Sequence, residues 1–198
     1  MARYVFHTKT NVSLDILDCS VAEVPAGMLI CRDPRNLGLD GLEKAGASEA
    51  NWLGAFTVTE FADRQQRWQR VLAVRLNWRQ ADPFTPDTER RGQYVDNLQS
   101  RVHLLLMQNH VKSVVMTPLG WRYPQLVALT MLGALTGHAM FMASMRRDKD
   151  PVRLAIAAPG AADIFTEQIE TDRLQRYLNK NGRMGCPPRL WLRPEAKP

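Results

Sequence analysis

Apolar and polar positions recur with two different periods along this chain, and each change of period marks the border of an element. Arg3 to His7 ("RYVFH") and Ser13 to Cys19 ("SLDILDC") have the alternating or β-branched character of strands, with Lys9-Thr10-Asn11 as the turn between them. Val24-Pro25-Ala26-Gly27 breaks the chain. The compact run "MLIC", Met28 to Cys31, then predicts a buried strand, and "RDPRN", Arg32 to Asn36, a loop. "LDGLEKAG", Leu39 to Gly46, predicts a short helix closed by Gly46. "FTVTEF" (Phe56 to Phe61) and "VLAVRL" (Val71 to Leu76) are two further strands, joined by the polar connection "ADRQQRWQR".

The second half is dominated by the helical period. After a loop from Asn77 to Pro86, Thr88 is placed to cap a helix whose Tyr94, Leu98, Val102, Leu105 and Leu106 share one face. Val114 to Met116 predicts a strand, Gln125 to Met145 a helix, and "RLAIAAP", Arg153 to Pro159, a last strand. The helix Ala162 to Leu178 carries the stripe Ile164, Phe165, Ile169, Leu174 and Leu178; from Asn179 onward Gly, Pro and basic residues predict a loose tail. The order β-β-β-α-β-β-α-β-α-β-α begins hairpin-like and then alternates strand with helix, which implies parallel strands joined by helical crossovers. The expected fold is therefore α/β: a three-layer α/β/α sandwich with a mixed, mostly parallel central sheet. One domain over residues 1–180 and a C-terminal tail over 181–198 account for the chain. Ligands of such sheets gather at the carboxyl ends of the strands.

Composition adds exclusions. The chain's 198 residues suffice for a sizeable core, with 45% apolar and 23% charged residues. The net charge of +6 permits an anionic partner, yet the basic residues are scattered, with short doublets such as Arg90-Arg91 and Arg146-Arg147. That scatter argues against a nucleic-acid face, and a nucleotide or another phosphorylated small molecule would benefit equally from the positive field. Cys19, Cys31 and Cys186 form no CxxC pair, and their odd number argues for reduced thiols and a cytoplasmic setting. His7, His103, His110 and His138 stand far apart without a metal-binding pattern, so neither a metal nor another cofactor is expected. Tyr123 to Ser144 is free of formal charge, but Gln125, His138, Gly133 and Gly137 favour a buried helix over a membrane span.

Two loops carry candidate chemistry. In "SVVMTPLGWRYP", a strand stops at Pro118-Leu119-Gly120 and a helix follows. Gly120 would give backbone freedom, amides at the helix start would bind phosphate, Arg122 would add charge, and Trp121 or Tyr123 would stack on a base. A strand-to-helix turn whose aromatics seal the core fits the same letters equally well. Arg32, Asp33, Arg35 and Asn36 crowd the carboxyl end of a strand, where a binding loop and a solvated Asp–Arg pair are both open readings. No nucleophile emerges: the serines lack a GxSxG elbow and Cys31 has no His nearby in sequence, so catalytic residues are unassigned. Asp40 and Glu43 fit a solvated face, and Met131, Met140, Met142 and Met145 a core helix.

The same loops resemble those of the macro domain, an ADP-ribose-binding module, over about residues 13 to 178. "ILDCS" places Asp18 where the family has a Gly-Asp strand end, and "LICRDPRN" places Pro34 and Asn36 in its Asn-Pro-Ala-Asn loop. Lys44-Ala45-Gly46 is similar to its Ala-Ala-Gly helix end, and "LGAFTVTEF", with Gly54, Ala55 and Thr57, to the strand after it. Pro118-Leu119-Gly120-Trp121-Arg122-Tyr123-Pro124 resembles its Pro-x-Gly strand end and phosphate loop, and "LAIAAPGAADIF" its last strand and helix. The resemblance implies an ADP-ribose-like ligand held by Asp18, Asp33, Asn36, Gly120, Trp121, Arg122, Tyr123 and Phe165, with Asp18 accepting from the adenine amine and Phe165 lying against the ring. It also implies an ADP-ribosyl hydrolase. Departures are plain: no Gly-Gly-Gly-Val loop, Arg32 or Asp33 in place of the first Asn, and Trp-Arg-Tyr in place of a Gly-rich loop. They leave a second reading, a scaffold of the same fold acting on a protein partner through Trp52, Trp68, Trp78, Trp121 and Trp191.

Overall fold

The computed structural model describes residues 2–6, 12–46, 49–50, 56–76, 112–119, 124, 127–128, 131–135, 151–181 and 192–194. Their strands are β1 (Ala2–Phe6), β2 (Val12–Leu17), β3 (Met28–Cys31), β4 (Leu42–Lys44), β5 (Glu49–Ala50), β6 (Phe56–Asp63), β7 (Arg70–Leu76), β8 (Ser113–Met116), β9 (Val152–Ala157) and β10 (Leu192–Pro194). All ten join one mixed sheet in the order β10-β1-β2-β9-β8-β3-β7-β6-β4, with β5 also on β6. From β2 to β7 the five central strands run parallel, and antiparallel pairs flank them on both sides. The centre is apolar for a physical reason: parallel strands are buried on both faces, so "MLIC" and "LAIAA" have no polar alternation to keep.

Two helices are described. In α1, residues 124, 127–128 and 131–135 are helical, and Val127, Ala128, Met131, Leu132, Ala134 and Leu135 are all buried. The second, α2 (Ala162–Asn181), turns Phe165 and Ile169 inward and packs on β2. Both helices cover one face of the sheet, joining Leu14, Ile16, Met28, Ile30, Val114, Met116, Leu154 and Ile156 in one core. The alternate residues, Leu29, Cys31, Val71, Val115, Ala155 and Ala157, face the other way. Among the described residues that second face is closed by Val21, Val24 and Trp68, with Leu37, Leu39 and Leu42 at its border. The helix read from Tyr94 to Leu106 lies outside the described residues. The α/β class and the mixed sheet with a parallel centre match the reading from sequence.

Three local expectations change. Leu39 to Gly46 is not a helix. Gly41 takes a left-handed φ of 80°, its carbonyl accepts from the Arg64 amide at 2.9 Å, and Leu42 to Lys44 pairs with Phe61 to Asp63 as β4. Ala45 then donates to the Glu60 carbonyl at 2.9 Å, so partners across the sheet replace those a helix would supply. The "RDPRN" loop contains a 3-10 turn over Pro34–Leu37, capped by the Asp33 side chain accepting from the Arg35 amide. Finally, part of the C-terminal tail is ordered against the sheet: β10 pairs antiparallel with β1, Phe6 opposite Leu192.

Candidate functional site

The parallel register brings the carboxyl ends of the central strands into a row. Leu17 stands opposite Ala157, Met116 opposite Ile156, Ile30 opposite Met116, and Cys31 opposite Ala73. Backbone bonds extend the ladder one step beyond the strands: the amide of Ala158 donates to the Leu17 carbonyl at 2.9 Å, and that of Thr117 to the Ile30 carbonyl at 2.9 Å. Asp18, Thr117, Ala158 and Arg32 therefore leave the sheet side by side at one edge, where open α/β sheets bind ligands.

At the β2 end of the row, Asp18 is exposed and its Oδ1 accepts from the Gly160 amide at 2.6 Å. Gly160 sits at a left-handed φ of 68° in the turn that launches α2, closed by the Ala161 amide on the Ala158 carbonyl at 3.0 Å. The turn thus fixes the carboxylate through one oxygen. Among the described residues the other oxygen has no partner.

At the other end, Asp33 follows β3 and its side chain is only 12% exposed. Arg35 binds it as a fork, Nε to Oδ1 at 3.0 Å and Nη2 to Oδ2 at 2.8 Å, while the Nη2 of Arg75 on β7 reaches the same Oδ2 at 2.7 Å. The register explains this contact: Cys31 opposite Ala73 puts position 33 beside position 75. The Arg35 guanidinium, with help from Arg75 and against the effect of burial, holds the Asp33 carboxyl well below the usual carboxylate range. Burial, and then the charge of Asp33, pushes the Cys31 thiol up to about 12, so it is no nucleophile at neutral pH. Cys19 is shifted the same way, by burial and then by Glu23 and Asp18.

Of the residues assigned from sequence, Asp18 and Asp33 lie at the two ends of this row. Asn36 is exposed in the 3-10 turn, its amide bonded to the Asp33 carbonyl at 3.1 Å. Phe165 has 0% exposure and belongs to the core, so its ring offers no face to a ligand. Gly120, Trp121, Arg122 and Tyr123 lie outside the described residues. Trp68, counted among the surface-capable tryptophans, is 3% exposed and packs in the second core, while Trp52, Trp78, Trp121 and Trp191 lie outside the described residues. Arg75 is hidden in the sequence because "VLAVRL" reads as a buried strand. The signal present was a lone cation near the end of an otherwise apolar run.

Among the described residues no cluster of His, Cys, Asp and Glu could hold a metal ion, and no helix is long and apolar enough to cross a membrane. No protein-family model matches the chain, and no curated protein matches it. Among solved structures, a mutant of an Oceanobacillus iheyensis macrodomain is similar at 14% identity and a TM-score of 0.49, covering 88% of this chain and 100% of its own. A likeness that slight assigns no residue and no activity. What the chain itself displays is an α/β sheet whose parallel strands end in one row, with a fixed carboxylate at one end and a doubly clamped one at the other.

Proposed function

We propose that this protein binds a nucleotide-derived ligand of the ADP-ribose type along the carboxyl ends of β2, β9, β8, β3 and β7. One observation carries the reading: Asp18 is exposed at the head of that row and oriented by the Gly160 amide through a single oxygen. A carboxylate held in this way can accept a hydrogen bond from the exocyclic amine of a base with its second oxygen and needs no rearrangement to do so. The loop resemblance to macro domains, with Asp18, Pro34 and Asn36 at matching places, supports the same ligand class.

The proposal is one of binding. Asp33 already pairs with two guanidiniums and stays ionised, which makes it a poor proton acceptor for activating a water. The scaffold alternative is weakened by the burial of Trp68, one of the five tryptophans it relied on.

Calorimetric titration with ADP-ribose tests the reading. In Asp18→Asn the remaining carbonyl oxygen can still take the Gly160 amide while the other position becomes a donor. Affinity is expected to fall roughly ten- to hundredfold, the worth of a charge-assisted hydrogen bond. Absence of heat with the unmodified protein at millimolar ligand would overturn the proposal.

A further inference from the structure

The sequence resemblance places phosphate recognition at Gly120 to Tyr123. A different part of the row has the chemistry for it. Arg35 and Arg75 come from separate elements, a 3-10 turn and a strand, and converge on one carboxylate oxygen, Oδ2 of Asp33, at 2.8 and 2.7 Å. Two guanidiniums on one carboxylate leave a net positive charge, and the exposed Arg32 next in the chain adds another. Both arginines point outward, with side chains 72% and 58% exposed, while the carboxylate that gathers them is 12% exposed. Of the five N–H groups a guanidinium offers, Asp33 uses two from Arg35 and one from Arg75. The remaining donors are held close together without an acceptor among the described residues.

We propose that Arg35 and Arg75, organised by Asp33, form a phosphoryl-binding site at the carboxyl ends of β3 and β7, suited to a diphosphate-containing small molecule. Its assignment to the phosphates of the ligand rests on the reading that a nucleotide-derived molecule lies along the row. A tetrahedral oxyanion can accept from the N–H groups that both guanidiniums leave unused, several at once, as no point charge could offer them. The position fits as well. Asp18 and this pair are separated by three to four strand spacings, roughly 14–19 Å, so base and phosphates are recognised at opposite ends of the row. Asp33 does not compete the anion away, because it is the inner partner: its oxygens face the two guanidiniums and little of it meets solvent.

Calorimetry with three probes, inorganic pyrophosphate, ADP-ribose and adenosine, separates this site from the broader function. Arg75→Ala and Arg35→Ala should each weaken pyrophosphate and ADP-ribose by about tenfold or more and leave adenosine unchanged. Arg75→Lys should recover only part of the loss, since an ammonium lacks the fork. Both side chains are exposed, and unaltered thermal unfolding of the variants checks that the fold is intact. If ADP-ribose binds but neither alanine variant weakens it, the phosphoryl site is overturned and the ligand reading stands. If pyrophosphate binds through Arg75 while ADP-ribose does not bind at all, the site stands and the ligand reading falls. No pyrophosphate binding at millimolar concentration overturns the site, as does a single-stranded oligonucleotide that displaces pyrophosphate with a steep salt dependence.

Discussion

Asp63 organises the β6–β7 hairpin from a position with no exposed side-chain surface. Its carboxylate accepts from the amides of Gln65, Arg67 and Trp68 at 3.1, 2.8 and 3.3 Å, and from the Arg67 guanidinium at 3.1 and 2.9 Å. That guanidinium also donates to the Asp40 carbonyl at 2.7 Å and lies 5.0 Å from the centre of the Trp68 ring. Removing one partner of a buried, hydrogen-bonded charge pair costs about 3–5 kcal/mol, so Asp63→Ala should lower stability by that order in urea unfolding. Burial pushes the Asp63 pKa up, but Arg67 and the amides of Gln65 and Arg67 outweigh it and hold the group below its usual value. The stabilisation is therefore complete above the unfolded carboxylate range and lost as pH falls through and below about 4. Asp63→Asn should flatten the acid limb of a stability–pH curve. Cys31 behaves in the opposite sense. With its thiol raised to about 12, the unfolded chain ionises first and stability falls by about 1.4 kcal/mol per pH unit above roughly pH 9, a slope that Cys31→Ala should remove.

Elements differ in how far local sequence decides them. Among its described side chains α2 turns Phe165 and Ile169 inward, and the enclosed Phe165 ring ties it to the sheet. Phe165→Ala should cost about 3–5 kcal/mol, measured by chemical denaturation. The turn before α2 is a contrast. Gly160 at φ 68° has no atom within 4 Å of the place a Cβ would occupy, so Gly160→Ala should cost only the left-handed backbone penalty, about 1–2 kcal/mol. If Gly160→Ala proved as damaging as Phe165→Ala, this turn would be under a packing constraint the structure lacks. Leu39 to Gly46 reads as a helix from Leu42, Glu43, Lys44 and Ala45 taken one at a time, with Gly46 at its end. Glu43 instead pairs with Arg64 across the hairpin at 2.8 Å, and three residues of edge strand suffice once β6 provides the partners.

At the scale of the molecule, burial falls off from the centre of the sheet through β6 to β4. β3, β8 and β9 are lined on both faces by buried residues, whereas β4 and β10 are three-residue strands at the two ends. Amide hydrogen exchange should accordingly be slowest in β3, β8 and β9. Deleting the chain from Leu192 onward removes the partner of Tyr4, Val5 and Phe6, so exchange at β1 should accelerate while β8 and β9 stay protected. Unchanged protection of β1 after that deletion would show that β10 contributes nothing to the edge. The row of strand ends is likewise a property of the whole: Asp18 and Gly160 are 142 positions apart in the chain, and Asp33 and Arg75 42.

Periodicity alone determined the α/β class, the parallel centre and the inward face of α2, because burial on both sides of a strand or on one side of a helix leaves a regular trace in residue order. Asp33 is also legible there, as a polar residue where an apolar run ends, whereas Asp18 stands out only through the resemblance of its strand end. Only the tertiary structure decided that Leu42 to Lys44 is a strand and that Arg75 shares an oxygen of Asp33 with Arg35. Those outcomes depend on register between segments distant in the chain, and register is set by pairing across the sheet, which no single stretch of residues encodes.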